Sequence, residues 1–187
     1  MGNDELLEME NGGINLEYYE RRSEELLEIA RQYLEGIAFM HQMGVQHNDL
    51  KLSNVAVDED TGRVSILDFG LATRCDKGGK GCRLDGQFFG TKGWTAPEVG
   101  SRKPYYARLA DLWAAGKVIM ETLKTCGAVP DGEFISGICH ELMEDDPDKR
   151  PEVEDVVRRI EQRLSMHSPK SDGSSAFTMV ELEDVFL

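Results

Sequence analysis

The stretch His47-Asn48-Asp49-Leu50-Lys51-Leu52-Ser53-Asn54 decides the fold, together with motifs that follow it along the chain. These are Asp68-Phe69-Gly70, the segment GTKGWTAPE at 90–98 and the segment DPDKRP at 146–151. Each piece is weak evidence by itself, because a lone aspartate in a loop is usually a turn former. Motifs of this kind in this order very rarely arise by chance, so the combination is informative.

The residue types in these motifs suit phosphoryl transfer. Asp49 and Lys51 lie two residues apart and can direct one acid and one amine to the same site. Asn54 enters a predicted β-hairpin at 55–67, and the far strand of that hairpin leads to Asp68. A carboxylate and a side-chain amide brought together in this way suit magnesium, a hard cation that prefers oxygen ligands. Phosphoryl transfer needs an acid near the acceptor hydroxyl, metal ligands and positive charge on the phosphate.

These motifs resemble the catalytic loop, the metal-binding turn and the end of the activation segment in eukaryotic protein kinases of the serine/threonine type. The resemblance implies a mainly α fold, a kinase-like C-lobe formed by a helical bundle with a small β-hairpin, and no N-lobe. We expect a hinge-like strand and linker at 1–16, the C-lobe at 17–166 and a flexible acidic tail at 167–187.

The same resemblance implies roles for individual residues. Asp49 would be the catalytic base and Lys51 the lysine that contacts the transferred phosphate. Asn54 and Asp68 would hold magnesium. The cofactor would be ATP, with its adenine lying against the backbone of Glu8 and Glu10 and above Ala56, and with Leu7 as gatekeeper.

Further residues would support the site by the same resemblance. Thr91 would pack against Asp49 and Lys51, Glu98 and Arg150 would form a buried ion pair, and Asp111 would hydrogen-bond the catalytic-loop backbone. The motifs also include His47, Phe69 and Gly70, where Phe69 would be an apolar anchor and Gly70 would let the backbone turn.

The chain departs from the family pattern at the phosphorylation switch. Asn48 stands where an arginine usually precedes the catalytic aspartate and pairs with a phosphorylated activation segment. Gln87 stands where the usual phosphoacceptor lies. We therefore expect a non-RD type of site, whose activity is not switched by phosphorylation at that position.

The sequence contains neither a GxGxxG string nor a VAIK-like lysine. Three hypotheses follow. The chain derives from an active serine/threonine kinase, and is weak or inactive alone because the upper lobe is missing. Alternatively, it is a non-catalytic docking scaffold, or a second chain supplies the upper lobe. In each case we expect a protein substrate or docking partner, and a partner that covers the exposed hinge face.

Hydrophobic periodicity predicts a long amphipathic helix at 23–43, with Ser23 as N-cap and Gly44 as C-cap. The segment 109–123 is apolar almost all round, which predicts a buried helix. Two more helices are predicted around 134–142 and 153–164. Residues 71–93 show little periodicity and are predicted to form a loop.

Length and charge narrow the possibilities further. The 187 residues suit one domain. The formal net charge of −14 argues against nucleic acid and anionic membranes as partners, and no apolar run reaches the length of a membrane helix. With no secretory signal, we expect an intracellular, cytoplasmic protein with its four cysteines mainly as reduced thiols. The stretch from Arg74 to Arg83 is locally basic, which suits acidic peptides or an attachment to acidic surface.

Overall fold

The structure, a computed structural model, describes residues 13–19, 23–75 and 81–167. Most of the hinge-like strand and linker predicted at 1–16, including Leu7, Glu8 and Glu10, lies outside the described residues, as does nearly all of the predicted tail. The described part is mainly helical with short strands, which confirms the mainly α architecture expected from the sequence.

Four α-helices form the largest part of the regular structure: α1 (Leu26–Gln42), α2 (Ala107–Thr125), α3 (Gly132–Leu142) and α4 (Val153–His167). Helix α1 packs against α4, α2 and the second strand of the hairpin, and α2 packs closely on α3. The face of α1 with apolar residues three and four apart is buried, as at Leu34 and Ile37, which have no exposed surface. This burial explains why the periodic pattern predicts the helix correctly.

The predicted ends of α1 need one correction. Ser23 begins a 3₁₀ turn that runs to Glu25, and α1 starts at Leu26 without a side-chain cap. The predicted cap is therefore wrong, because the 3₁₀ turn separates Ser23 from the first α-helical turn. Gly44 follows the helix with a φ of 76°, the left-handed conformation that favours glycine.

Helix α2 is buried along most of its length, as its apolar sequence predicts. At Gly116, an added Cβ would lie 2.8 Å from the Cβ of Leu142 on α3, so this close helix contact requires glycine. None of the described helices combines the length and the apolar character needed to cross a membrane.

The strands are short and pair in three antiparallel groups. They are β1 (Ile14–Asn15), β2 (Val45–Gln46), β3 (Val55–Val57), β4 (Val64–Ile66), β5 (Thr73–Arg74), β6 (Arg83–Leu84) and β7 (Tyr105–Tyr106). Strand β3 lies between β1 and β4, β2 pairs with β5, and β6 pairs with β7. The predicted hairpin is confirmed as β3 and β4.

The segment predicted as a loop at 71–93 contains β5 and β6, so that prediction is wrong at these two places. A disulfide joins Cys75 to Cys82, whose Cα atoms are 5.5 Å apart, and corrects the expectation of reduced thiols for this pair. The other two cysteines, Cys126 and Cys139, are thiols. Burial raises the pKa of the Cys139 thiol to about 12.

Candidate active site

The catalytic loop, residues 47–54, is held in place by a buried carboxylate at the start of α2. Asp111 Oδ2 accepts a hydrogen bond from the backbone N–H of His47 at 2.8 Å, and Oδ1 accepts one from Asn48 N–H at 2.9 Å. The Nε2 atom of His41 lies 3.1 Å from Asp111 Oδ2. Because Asp111 is only 1% exposed, its charge depends on these partners for solvation.

Asp49, Lys51 and Thr91 meet at one point. Asp49 Oδ2 accepts a hydrogen bond from Lys51 Nζ at 2.7 Å, and Asp49 Oδ1 accepts one from Thr91 Oγ1 at 2.7 Å. Lys51 Nζ also donates to Thr91 Oγ1 at 3.0 Å. The structure therefore brings together three residues that lie up to 42 positions apart in the sequence.

The surroundings of Asp49 keep it ionised. Burial alone would raise the pKa of this carboxyl group, but hydrogen bonds from Lys51 and Thr91 and the positive charge of Lys51 outweigh it. The net effect is a pKa below the ordinary value. A carboxylate of this kind can orient a hydroxyl group, and it accepts a proton only when the hydroxyl becomes strongly acidic.

Asn54 and Asp68 present oxygen atoms that fit a magnesium ion. The amide nitrogen of Asn54 donates to the Asp49 carbonyl oxygen at 2.9 Å, which leaves the amide oxygen available as a ligand. The Leu67 N–H donates to the Asn54 carbonyl oxygen at 2.9 Å, so the hairpin brings Asp68 next to this position. The Asp68 side chain is exposed and accepts only the Gly70 N–H, at 3.2 Å, among the described residues.

A metal site made by protein ligands alone is not present in the described ranges, where no three His, Cys, Asp or Glu side chains are clustered. Two protein oxygens are nevertheless a suitable contribution to magnesium, because this ion usually keeps water and phosphate oxygens as its other ligands.

The aromatic anchor after Asp68 lies against the catalytic loop. The rings of His47 and Phe69 have centroids 5.0 Å apart, and His47 Nε2 lies 3.0 Å from the Leu67 carbonyl oxygen. The left-handed conformation in this motif falls on Asp68, with a φ of 63°, and not on Gly70. The turn therefore has its unusual backbone conformation two residues earlier than the sequence predicts.

Asn48 has a structural role that the sequence analysis missed. Its backbone is left-handed, with a φ of 64°, which asparagine tolerates better than most residues. Its side-chain amide donates to the Leu71 carbonyl oxygen at 2.8 Å and to Thr73 Oγ1 at 3.1 Å. Asn48, which stands in place of the usual arginine, thus ties the start of the predicted activation segment directly to the predicted catalytic loop.

Glu98 and Arg150 form a two-pronged ion pair. Arg150 Nη1 donates to Glu98 Oε1 at 2.6 Å, and Nη2 donates to Oε2 at 2.9 Å. The arginine side chain has no exposed surface and also donates to the carbonyl oxygens of Leu109 and Glu144. Arg150 therefore links Glu98, at the end of the predicted activation segment, to the helical core.

Ala56 lies in the middle of β3, paired with Asn15 and Ser65, and has no exposed surface. The predicted adenine contacts at Glu8 and Glu10 fall outside the described residues, so the structure describes only the other residues of the predicted site. A separate shallow groove of about 310 Å³ lies between α1 and α4 and shares no residue with this site.

Comparison with known proteins agrees with this geometry. The sequence model of the protein kinase domain family matches residues 4–156. The chain is 31% identical over 170 residues to CBL-interacting protein kinase 25 of Oryza sativa subsp. japonica, covering 84% of this chain and 32% of the relative. It is 36% identical over 113 residues to mitogen-activated protein kinase kinase kinase 1b of Physcomitrium patens, covering 60% and 14%.

A third relative, serine/threonine-protein kinase grp of Drosophila melanogaster, is 42% identical over 92 residues, covering 49% of this chain and 17% of the relative. The chain thus spans a third or less of the length of these three relatives. The family match nevertheless covers most of the chain and includes every residue of the site described above. The chain belongs to the protein kinase family.

Proposed function

We propose that this chain supplies the C-lobe side of a site for ATP-dependent phosphoryl transfer to serine and threonine hydroxyl groups. The observation that carries the proposal is the hydrogen-bonded set of Asp49, Lys51 and Thr91. One ionised acid and one amine would then act beside Asn54 and Asp68 as the proposed metal ligands, which is the arrangement that phosphoryl transfer requires.

In the proposed mechanism, Asp49 orients the acceptor hydroxyl and receives its proton. Its lowered pKa makes it a weak base, so the proton moves late, when the oxygen–phosphorus bond is already forming. Lys51 provides positive charge for the transferred phosphoryl group. Thr91 holds both side chains in their orientation, since it bonds to each of them.

The cofactors in this proposal are ATP and magnesium. When bound, magnesium neutralises phosphate charge and orients the transferred group. Asn54 would hold it through its amide oxygen and Asp68 through its carboxylate. The adenine would lie beside Ala56 and the backbone of Glu8 and Glu10.

We further propose that the isolated chain is weak or inactive, because its sequence lacks the Gly-rich loop and the VAIK-like lysine that contact ATP from above. Preorganised electrostatic groups of this kind are worth about 3–4 kcal/mol each in a transition state. The absence of these two motifs from the sequence favours a second candidate function, a kinase-like scaffold that binds a protein partner without catalysis.

The test compares ATP·Mg binding and phosphotransfer by three proteins: the unchanged chain, Asp68→Ala, and the control Asp60→Ala. Asp60 is exposed in the turn of the hairpin, so its replacement removes a carboxylate away from the proposed metal ligands. Magnesium-dependent binding that disappears only in Asp68→Ala would support the proposal. Absence of nucleotide binding in all three would refute the enzyme function for this chain and favour the scaffold.

A further inference from the structure

The segment between the disulfide and β7 carries positive charge in an otherwise acidic chain. Residues 81–104 contain four basic and two acidic side chains, whereas the whole chain has a formal net charge of −14. One of the two acids, Glu98, is bound to Arg150. We call the four basic residues of this segment the basic face: Arg83, Lys92, Arg102 and Lys103. All four are exposed, and none forms an ion pair with any other described residue.

Three of these residues lie on neighbouring stretches of backbone. Arg83 on β6 is directly opposite Tyr106 on β7. Gly86 packs so closely on the chain before β7 that an added Cβ would lie 2.7 Å from the carbonyl atoms of Arg102. Lys103 follows at once. The loop after β6 and the loop before β7 therefore bring these charges together.

The fourth residue connects the basic face to the proposed acceptor site. Lys92 follows Thr91, whose hydroxyl group binds both Asp49 and Lys51. Gly90, the residue before Thr91, lies so close to the catalytic loop that an added Cβ would be 2.6 Å from the Asn48 carbonyl oxygen. The basic face thus begins beside the catalytic aspartate.

Exposed aromatic side chains accompany the charges. Phe88 is 53% exposed and Tyr106 is 37% exposed. Exposed aromatic residues next to unpaired cations are typical of surfaces that bind a partner, because they add apolar contact to charge attraction.

We propose that the basic face binds an acidic segment of a protein substrate, so that a serine or threonine flanked by Asp and Glu is presented to Asp49. This inference rests on the proposed function and names its substrate class. Charge complementarity selects the partner, since these cations have no described acid to neutralise them. The strongly negative chain as a whole repels extended polyanions such as nucleic acid and anionic lipid surfaces, whereas a short acidic peptide carries few charges and can contact this local patch alone.

The test measures binding of the full chain to a labelled peptide with one serine among Asp and Glu, by fluorescence anisotropy. A matched peptide carries Asn and Gln in place of those acids. The binding-face variant is Lys92→Gln with Arg102→Gln and Lys103→Gln. The control variant is Lys124→Gln with Lys149→Gln and Arg158→Gln, at positions that are 57%, 69% and 64% exposed. Both variants change the net charge equally.

We expect the acidic peptide to bind more tightly than the neutral one. A higher salt concentration should reduce this difference in affinity. The binding-face variant should bind it about tenfold more weakly, while the control variant binds as the unchanged chain does, because salt screens exposed charges that lie more than about 10 Å from the peptide. Equal binding of both peptides, or an equal loss in both variants, would overturn the inference.

A competing occupant is tested with full-length Glu181→Gln with Glu183→Gln and Asp184→Asn. If the unchanged chain did not bind the acidic peptide and this variant did, the tail of this chain, and not a substrate, would be the ligand of the basic face, which would overturn the inference. The proposed function is tested separately, because peptide binding needs no ATP. Selective peptide binding without nucleotide binding would support this inference while refuting phosphoryl transfer.

Discussion

Asn48 should control how firmly the start of the activation segment is held. Its amide makes two hydrogen bonds across to that segment, to the Leu71 carbonyl oxygen at 2.8 Å and to Thr73 Oγ1 at 3.1 Å. A third bond, to the Gln46 carbonyl oxygen, is long at 3.3 Å and adds little. In Asn48→Asp the donors become acceptors while the left-handed backbone is retained. Two neutral hydrogen bonds contribute about 1–2 kcal/mol in total, so local opening should become easier by that amount.

Amide hydrogen exchange measures this opening. The Cys75 N–H, which donates to the Gly44 carbonyl oxygen at 2.8 Å, reports the segment tied down by Asn48. Its exchange should be about 5- to 30-fold faster in Asn48→Asp. The Asp58 N–H in the hairpin should not change. Gln87→Glu, which adds the same charge at an exposed position, is the matched control. Unchanged exchange at Cys75 in Asn48→Asp would refute the view that this side chain holds the segment.

Three further predictions concern the site and its support. Thr91→Val should raise the pKa of Asp49, which a carboxyl carbon NMR titration measures. A carboxyl group with a lowered pKa stabilises the fold above pH about 4, and this contribution is lost as the pH falls further. The variant should therefore lose less stability on acidification, and an unchanged pKa would contradict the prediction. Arg150→Met should lower the free energy of unfolding by about 3–5 kcal/mol in denaturant titrations, because its glutamate partner, only 15% exposed, is left unpaired; a loss below about 1 kcal/mol would argue against that account. Gly90→Ala should lower the free energy of unfolding by about 1–3 kcal/mol more than Gly93→Ala does. Both glycines have positive φ, but only at Gly90 would an added Cβ meet the catalytic loop. Equal denaturation midpoints for the two variants would show that the loop moves aside.

The sequence predicts well those elements whose signals are local. Helix α1 follows from apolar residues at helical spacing, and the β3–β4 hairpin follows from two β-branched runs around a polar turn. The position of Asp68 beside Asn54 could also be anticipated, because a short hairpin leaves few alternatives for where its far strand ends.

Features that depend on distant partners could not be predicted in this way. Strands β5 and β6 contain two residues each and exist only through pairing with β2 and β7. The disulfide forms because the ends of those strands meet, which a spacing of seven residues does not reveal. The role of Asn48 was missed for the same reason. Comparison with the family pattern indicates only that Asn48 lacks the positive charge of the usual arginine. Its hydrogen bonds to Leu71 and Thr73 are visible only in the structure.

The buried carboxylate of Asp111 has a consequence for how the protein is made. It bonds to backbone amides 63 and 64 residues earlier, so the catalytic loop obtains its shape only after a long stretch of chain has been closed into a loop. Contacts of this separation form slowly compared with helices. During synthesis, Asp49 and Lys51 leave the ribosome well before α2 does. A nascent chain therefore carries all the residues of the catalytic loop before it can hold them in position, and the site is completed only when the helical core assembles.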